Sequence, residues 1–309
     1  LVANAALHPA TRLEAEDLKA FQADVNALWK GDTGNGQVLS GMSIEEALRI
    51  LQIEPDVKPT QAQWLHRKAD GADWYMVCAP QEGRFEGQME FHTTGRAELW
   101  NPMNGTIEPM NSTEKDGYTS ISMKLEQGEC KYVVFHHDGR KQKVPTRSSS
   151  TIPLDHLSWT LTFPKGWGAD QPLTISRLQP WCELPLSDEG KAFSGTVTYE
   201  TSFQMDRLHR KSQYLIRLGQ VEEIAVVKVN DAVADTLWAL PYETDITPYL
   251  RKGENKLTIE VVSTWHNRLA YDASLPEKER KTWVLAGPRA GSELKRYGMM
   301  GPVEMEERR

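Results

Sequence analysis

The sequence predicts a mainly β protein, with two antiparallel β-sandwich domains preceded by a short helical segment. Three observations predict it. Apolar residues recur at helical spacing only over roughly the first 60 positions. From Trp64 the period changes to two and hairpin dipeptides appear. From Leu154 a second series of alternating segments follows a polar stretch. The 309 residues suffice for two domains.

In the helical segment, Leu18, Phe21, Val25 and Leu28 share one face. Ile44, Ala47, Leu48 and Leu51 share a face of a second, shorter helix. Thr11 with Glu14, and Ser43 with Glu46, have capping-box spacing. The loop Gly31-Asp-Thr-Gly-Asn-Gly36 matches neither glycine-rich phosphate motif and follows no strand, which argues against a phosphate cradle. Two helices cannot build a core alone, so residues 1–62 read as the helical remnant of an upstream domain. Leu1-Val-Ala-Asn lacks an initiator Met and the features of a signal peptide, so the chain reads as a fragment of a longer protein.

Residues 63–145 read as a small β-sandwich. "WLHRKADGADWYMV" is two strands about Asp70-Gly71, "AELWNPMNGTIEP" repeats the device at Asn104-Gly105, and "GECKYVVFHHDG" ends a strand at Asp138-Gly139. His136 and His137 point to opposite strand faces, so the pair does not share one metal, and a surface or edge position is expected. "KQKVPTRSSSTI" (141–152) is polar and Ser-rich, and a linker is placed at 146–153.

The second β domain spans 154–309. "WTLTF" alternates; Val197, Tyr199, Thr201 and Phe203 share a face, as do Tyr214, Ile216 and Leu218, and Leu257, Ile259 and Val261. "VEEIAVVKV" is nearly continuously apolar after Glu223, as a central strand would be. Strands at this spacing make a sandwich or jelly roll.

Bulk properties narrow the function. A net charge of -7 and a pI near 5.7 argue against a nucleic-acid partner. No apolar run is long enough for a membrane span. Cys78, Cys130 and Cys182 show no metal-ligand spacing and support neither a zinc site nor a disulfide framework; one disulfide in an oxidising compartment stays open. Ten Trp residues are many for this length, and an indole serves equally as core filler and as a sugar platform.

"FSGTVTYETSF", "LGQVEEIAVVKVN" and "LWALPYETDITPYLRKGENKLTIEVV" together resemble the galactose-binding-like, sugar-binding jelly roll of glycoside hydrolase family 2. "STWHNRLAYDASLPEKERKTW" and "GMMGPVEM" look like the C-terminal region of family 106 α-L-rhamnosidases. "GMSIEEALRILQIEPDV", "HRKADGADWYMV" and "AELWNPMNGTIEP" are similar to that family in the same order. The resemblance covers residues 41–305. One departure is Val229-Asn230-Asp231, where the family 2 pattern has V-N-G; Asp fits such a turn with more strain than Gly. The resemblance implies a protein that hydrolyses terminal α-L-rhamnosides, with its catalytic carboxylates on an upstream (β/α)₈ barrel of the same protein. No strand–helix alternation of that kind occurs in this chain. No catalytic residue is therefore assigned. Rhamnose-containing glycans are the implied carbohydrate partner, and a periplasmic or extracellular location is expected. No cofactor is assigned; this jelly-roll type often holds a structural calcium, although no D-x-D-x-D loop is present.

The candidate carbohydrate-binding residues are Trp238, Tyr242, Trp265, His266, Asn267 and Arg268. The aromatics either cover one end of the sandwich or form a rim near a sugar; the polar residues either hydrogen-bond hydroxyls or serve the fold. Arg268 and Asp272 could equally be an exposed local ion pair. Asp245 and Thr247 set a loop corner, and Gly253 and Asn255 turn the chain into the following strand. The leading function is a non-catalytic accessory region of a rhamnosidase-like glycoside hydrolase; the alternatives are a free-standing carbohydrate-binding module and a purely structural domain.

Overall fold

A computed structural model describes residues 15–30, 36, 38–39, 41–140, 143–145, 148–154 and 156–309. Helices α1 (Ala15–Trp29) and α2 (Ile44–Ile50) precede eight strands. These are β1 (Gln63–Ala69), β2 (Ala72–Cys78), β3 (Phe85–Phe91), β4 (Arg96–Trp100), β5 (Ile107–Pro109), β6 (Thr113–Lys115), β7 (Tyr118–Leu125) and β8 (Cys130–His136). The chain divides into two compact units. The first holds the described residues of Leu1–Thr60 with Gln88–Gly95 and Ser112–Ile121; the second holds Gln61–Gly87, Arg96–Asn111 and Ser122–Arg309.

In the first unit, α2 starts on the expected capping box. Ser43 Oγ accepts from the Glu46 N–H at 3.2 Å, and Glu46 Oε2 accepts from the Ser43 N–H at 2.8 Å. The Thr11–Glu14 box and the glycine loop at 31–35 lie outside the described residues. The expected helical faces are not buried stripes. Leu18 and Leu28 are exposed in α1, and of the second face only Ala47 is buried, with Ile44, Leu48 and Leu51 exposed. Val57 bridges Phe91, and the Tyr118 hydroxyl donates to the Pro55 carbonyl at 2.8 Å.

In the second unit, one antiparallel sheet has the order β1–β2–β8–β4–β5; β3, β7 and β6 form a separate three-stranded sheet, most of whose residues, including all of β6, belong to the first unit. The β1–β2 turn is the two-residue Asp70-Gly71, both at positive φ (54° and 72°), as the sequence predicts. Cys78 and Cys130, register partners on β2 and β8, are disulfide-bonded. Closing a 52-residue separation is worth about 4 kcal/mol in the chain-entropy account. His136 and His137 do face opposite ways: His136 Nε2 lies 2.9 Å from Glu98 Oε2, and His137 Nε2 lies 2.8 Å from buried Asp73 Oδ2.

The remaining strands are β9 (Ser149–Pro153), β10 (Trp159–Thr162), β11 (Leu173–Ile175), β12 (Thr196–Met205), β13 (Gln213–Arg217), β14 (Gln220–Glu222), β15 (Ile224–Val229), β16 (Ala232–Leu237), β17 (Glu243–Asp245), β18 (Gly253–Val262), β19 (Gly298–Gly301) and β20 (Glu304–Arg308). Two short helices, α3 (Asp188–Lys191) and α4 (His266–Ala273), sit between them. One sheet runs β11–β10–β12–β18–β15–β16, another β17–β13–β20–β9, and β14 pairs with β19. All these pairings are antiparallel.

Alternation explains the core. Val197, Tyr199 and Phe203 on β12 and Leu257, Ile259 and Val261 on β18 join Tyr214, Ile216 and Met305 from the other sheet in one cluster. The linker expected at 146–153 is corrected: Ser149–Pro153 is strand β9, paired with β20 from Pro153↔Glu304 to Ser149↔Arg308. Its five residues are all exposed, so no apolar alternation betrays it. The segment after Glu223 is strand β15, flanked on both sides by β18 and β16 as expected of a central strand, and it alternates buried Ala225, Val227 and Val229 with more exposed neighbours; Val221 and Glu222 belong to β14. Gly219 earns its place by close approach, since a Cβ there would meet the Gly301 backbone at 2.3 Å.

Candidate functional site

The ten-residue β12–β18 ladder fixes two ends of the second β domain. At one end Thr196 faces Val262, Ile224 faces Val262, and Ala225 faces Leu237. The segments leaving these strands carry Glu189, Glu222 and Glu223, Trp238 and all of α4. Every carbohydrate-binding candidate therefore lies on this end. At the opposite end Met205 faces Gly253, and Asn230 and Asn255 meet. The stretch from Ala239 to Val262 crosses the domain twice: β17 carries it from the Trp238 end to the corner, and β18 carries it back.

The candidates divide by burial. Trp238 (63%) and Trp265 (52%) are exposed. Trp265 meets Trp167 edge to face, at 6.2 Å and 83°. His266 is half-buried, its Nε2 3.1 Å from the Glu293 carbonyl. The other three serve the fold. Tyr242 is buried and donates to the Glu223 carbonyl at 2.6 Å; burial and the charges of Glu222 and Glu223 push its phenol up. Asn267 is fully buried and bonds both backbone groups of Lys295 at 2.8 Å. Its amide thereby ties the 293–297 segment to α4.

Arg268 is the hub. Its side chain and that of Asp272 are each 1% exposed, so the pair is not a surface contact. The Arg268 backbone N–H donates to Ser194 Oγ at 3.0 Å. Nη1 reaches Glu189 at 2.7 Å, and Nη2 reaches Asp272 at 2.5 Å. The guanidinium also lies over the rings of Trp167 (5.1 Å) and Tyr271 (5.3 Å). Burial works against its charge, but the bonds to Asp272 and Glu189 hold its pKa above the ordinary value. Asp272 mirrors this. Burial would raise its carboxyl, yet bonds from Arg268 and from the Thr282 hydroxyl and N–H hold it down. Lys281 closes the ring from outside, 2.6 Å from Glu189 and 5.3 Å from the Trp167 ring. Its bond, then that of Arg268, lowers the Glu189 carboxyl.

Trp167, Glu189, Lys281 and Thr282 were not singled out by sequence reasoning. They come from three separate stretches, and only the helix starting at His266 draws them together. Beyond Thr282 stand Trp283 (76% exposed), Val284 and Leu285 (88% exposed).

At this end Glu222 is the carboxyl raised above its ordinary value, by burial first and the Glu223 charge second. Buried Asp272, by contrast, is held ionised by its donors. Among the described residues no set of three or more His, Cys, Asp or Glu side chains is arranged to hold a metal ion. No described helix is long and apolar enough to cross a membrane.

At the opposite end lie Asp245, Thr247, Gly253 and Asn255. Asp245 Oδ1 accepts from the Thr247 N–H at 2.9 Å, and Thr247 Oγ1 accepts from the Tyr214 N–H at 2.7 Å. Gly253 opens β18 at φ 97°. Asn255 accepts from Arg251 N–H and Asn230 Nδ2, and donates to the carbonyls of Arg251 and Gly253.

Comparison with known proteins fits this architecture. Residues 5–114 match the α-L-rhamnosidase family, glycoside hydrolase 106. Residues 191–295 match the glycosyl hydrolase 2 galactose-binding-like domain. A solved rhamnosidase from Novosphingobium sp. PP1Y superposes on 94% of this chain, with a TM-score of 0.79 and 30% identity. The match covers 29% of that protein. A putative β-glucuronidase from Formosa agariphila is 31% identical over 216 residues, which is 59% of this chain and 18% of the relative. A β-galactosidase from Clostridium acetobutylicum is 35% identical over 101 residues, 30% of this chain and 11% of the relative. The chain thus spans under a third of the length of each of these relatives.

Proposed function

From a chain that joins a region of the α-L-rhamnosidase family to a glycosyl hydrolase 2 galactose-binding-like domain, we infer an accessory part of an α-L-rhamnosidase-like glycoside hydrolase. The single observation that carries the reading is the rhamnosidase match, which spans 94% of this chain and 29% of that protein. In this reading the bond-breaking carboxylates stand on a (β/α)₈ barrel in the rest of a longer protein, of which this chain is a fragment. Glycoside hydrolysis uses two facing carboxyl groups, one of them protonated at working pH. The buried Asp272 is committed to Arg268 and Thr282, which suits a brace rather than an acid.

The role of the chain is to pack against the barrel and shape the rim of its site. Trp238 and Trp265, with His266 beside them, are the groups at the jelly-roll end offered to carbohydrate. Arg268, Asn267 and Tyr242 hold that end in place. The Cys78–Cys130 disulfide suits a periplasmic or extracellular location.

The test is an aryl α-L-rhamnoside assay on the purified chain, paired with rhamnoside binding by wild type and a Trp238→Ala/Trp265→Ala variant. No turnover is expected. Turnover by the chain itself would overturn the accessory reading. The exposed Trp pair favours a second reading, a free-standing carbohydrate-binding module; binding that the double variant loses, in a protein without any barrel, would favour it.

A further inference from the structure

We propose that the open face of the five-stranded sheet β1–β2–β8–β4–β5 is a second carbohydrate-binding surface, separate from the jelly-roll end. The register defines that face. Leu65 faces Met76, Met76 faces Tyr132, Tyr132 faces Trp100, and Trp100 faces Ile107. Register partners share a face, so one unbroken apolar row crosses all five strands. A second row, one pleat along, runs Arg67, Trp74, Val134, Glu98. The alternate positions Tyr75, Val77, Val133 and Phe135 are fully buried, so the sheet has its core on the other side.

The row is accessible and rigid. Leu65 (46%) and Ile107 (51%) are exposed at its two ends, and Met76, Tyr132, Trp100 and Trp74 are part-exposed between them. Trp74 locks against Trp100 (4.9 Å, 74°) and Tyr132 (6.5 Å, 77°). The Cys78–Cys130 bond staples β2 to β8 one pleat beyond the row. A platform fixed before binding loses little entropy on binding.

Charge and area choose the occupant. Glu98 accepts from Trp100 Nε1 (2.9 Å) and pairs with His136 (2.9 Å) and Arg96, and Arg96 also reaches Asp138 at 3.1 Å. Both carboxylates of this cluster already have partners, Arg96 and His136 for Glu98 and Arg96 for Asp138, which suits a neutral, hydroxyl-rich ligand better than a charged one. Five strands about 4.8 Å apart and one apolar row deep, widened by Trp74, give an apolar strip on the order of 200 Å²; in the second row Arg67 and Glu98 are charged and Val134 is fully buried. A stable protein interface buries about 800 Å² on each partner. A short oligosaccharide, with apolar ring faces for the row and hydroxyls for Glu98 and Asp138, fits both the size and the charge.

Taking carbohydrate as the ligand class rests on the proposed function above; the place of the site rests on the register. The experiment is calorimetric titration of the whole chain with a rhamnose-containing oligosaccharide. It compares wild type, Trp100→Ala, Leu65→Ser and the Trp238→Ala/Trp265→Ala variant. Leu65 is the safeguard, because its exposed side chain can be replaced without loss of the fold, which circular dichroism verifies. The Kd is expected to rise about tenfold or more in Trp100→Ala, to rise by less in Leu65→Ser, and to persist in the double variant. Wild-type affinity in both sheet variants, or binding lost only in the double variant, overturns the proposal while leaving a carbohydrate role intact. No binding at about 10 mM oligosaccharide overturns it too, as does a dimer in light scattering that Leu65→Asp dissolves, which would make a second copy the occupant. Aryl-rhamnoside turnover by the same sample would overturn the accessory reading and leave the titration result standing.

Discussion

The two ends of the β12–β18 ladder, about 30 Å apart, solve opposite problems. At the Gly253 end the polar groups answer one another: Asn255 makes four hydrogen bonds, Asn230 three, and Thr247 bonds both Asp245 and Tyr214. At the Val262 end a buried guanidinium–carboxylate pair ties α4 to Ser194 and Thr282, and Trp265 and Trp283 next to it, like Trp238, face solvent. The first end spends its specific residues on closing a fold. The second spends buried charge on presenting exposed aromatics, an arrangement that a corner does not need.

The largest expected effect breaks the second end. Arg268→Ala strands Asp272 in the interior and should cost about 3–5 kcal/mol in urea unfolding. Replacement of both partners by apolar residues should cost far less, because no lone buried charge remains. Acid tests the first end next. Glu307 bonds Ser212, His209 and Tyr214, the last joined to the corner through Thr247. A bond from Arg309, opposed by burial and reinforced by Ser212, His209 and Tyr214, takes its carboxyl from 4.5 to about 2. A carboxyl lowered on folding contributes stability that is complete above its unfolded pKa. That contribution should fade as pH falls from 4.5 towards 2, and Glu307→Gln should flatten the acid limb of a stability–pH profile. Asn255→Ala comes third, at about 2 kcal/mol, since it leaves buried backbone groups at the corner without partners. Asp231→Gly should stabilise by about 1 kcal/mol in thermal unfolding, because Asp231 occupies a positive φ of 67° that Gly adopts freely. Trp265→Ala should change stability by less than about 0.5 kcal/mol. A larger loss would mean that the exposed end is also structural, and the contrast between the ends would fail.

Much of the first end was legible, and less of the second. Asp245, Thr247, Gly253 and Asn255 are local devices: each bonds within a few residues or sets its own backbone, so spacing along the chain reveals them. The alternation of Val197, Tyr199 and Phe203, and of Leu257, Ile259 and Val261, is equally local and gave the core. Arg268 could not be read in the same way. Its i,i+4 partner Asp272 was visible, but its burial depends on Glu189, Trp167 and Ser194, more than 70 residues away. Strands β9 and β16 were missed because they lie at sheet edges with exposed or polar faces, where no apolar pattern is required. Cys78 and Cys130 could not be paired from spacing alone, because register decides the match.

Strand β20 has a further consequence. Glu304–Arg308 is not an edge strand; it lies between β13 and β9, whose closest residues along the chain are about 60 apart. During synthesis β13 can pair with β17 once Asp245 is made, but β9, whose partner in the four-stranded sheet is β20, leaves the ribosome long before Glu304–Arg308 exist. Strand β9 therefore waits unpaired in that sheet until the distant β20 has been made.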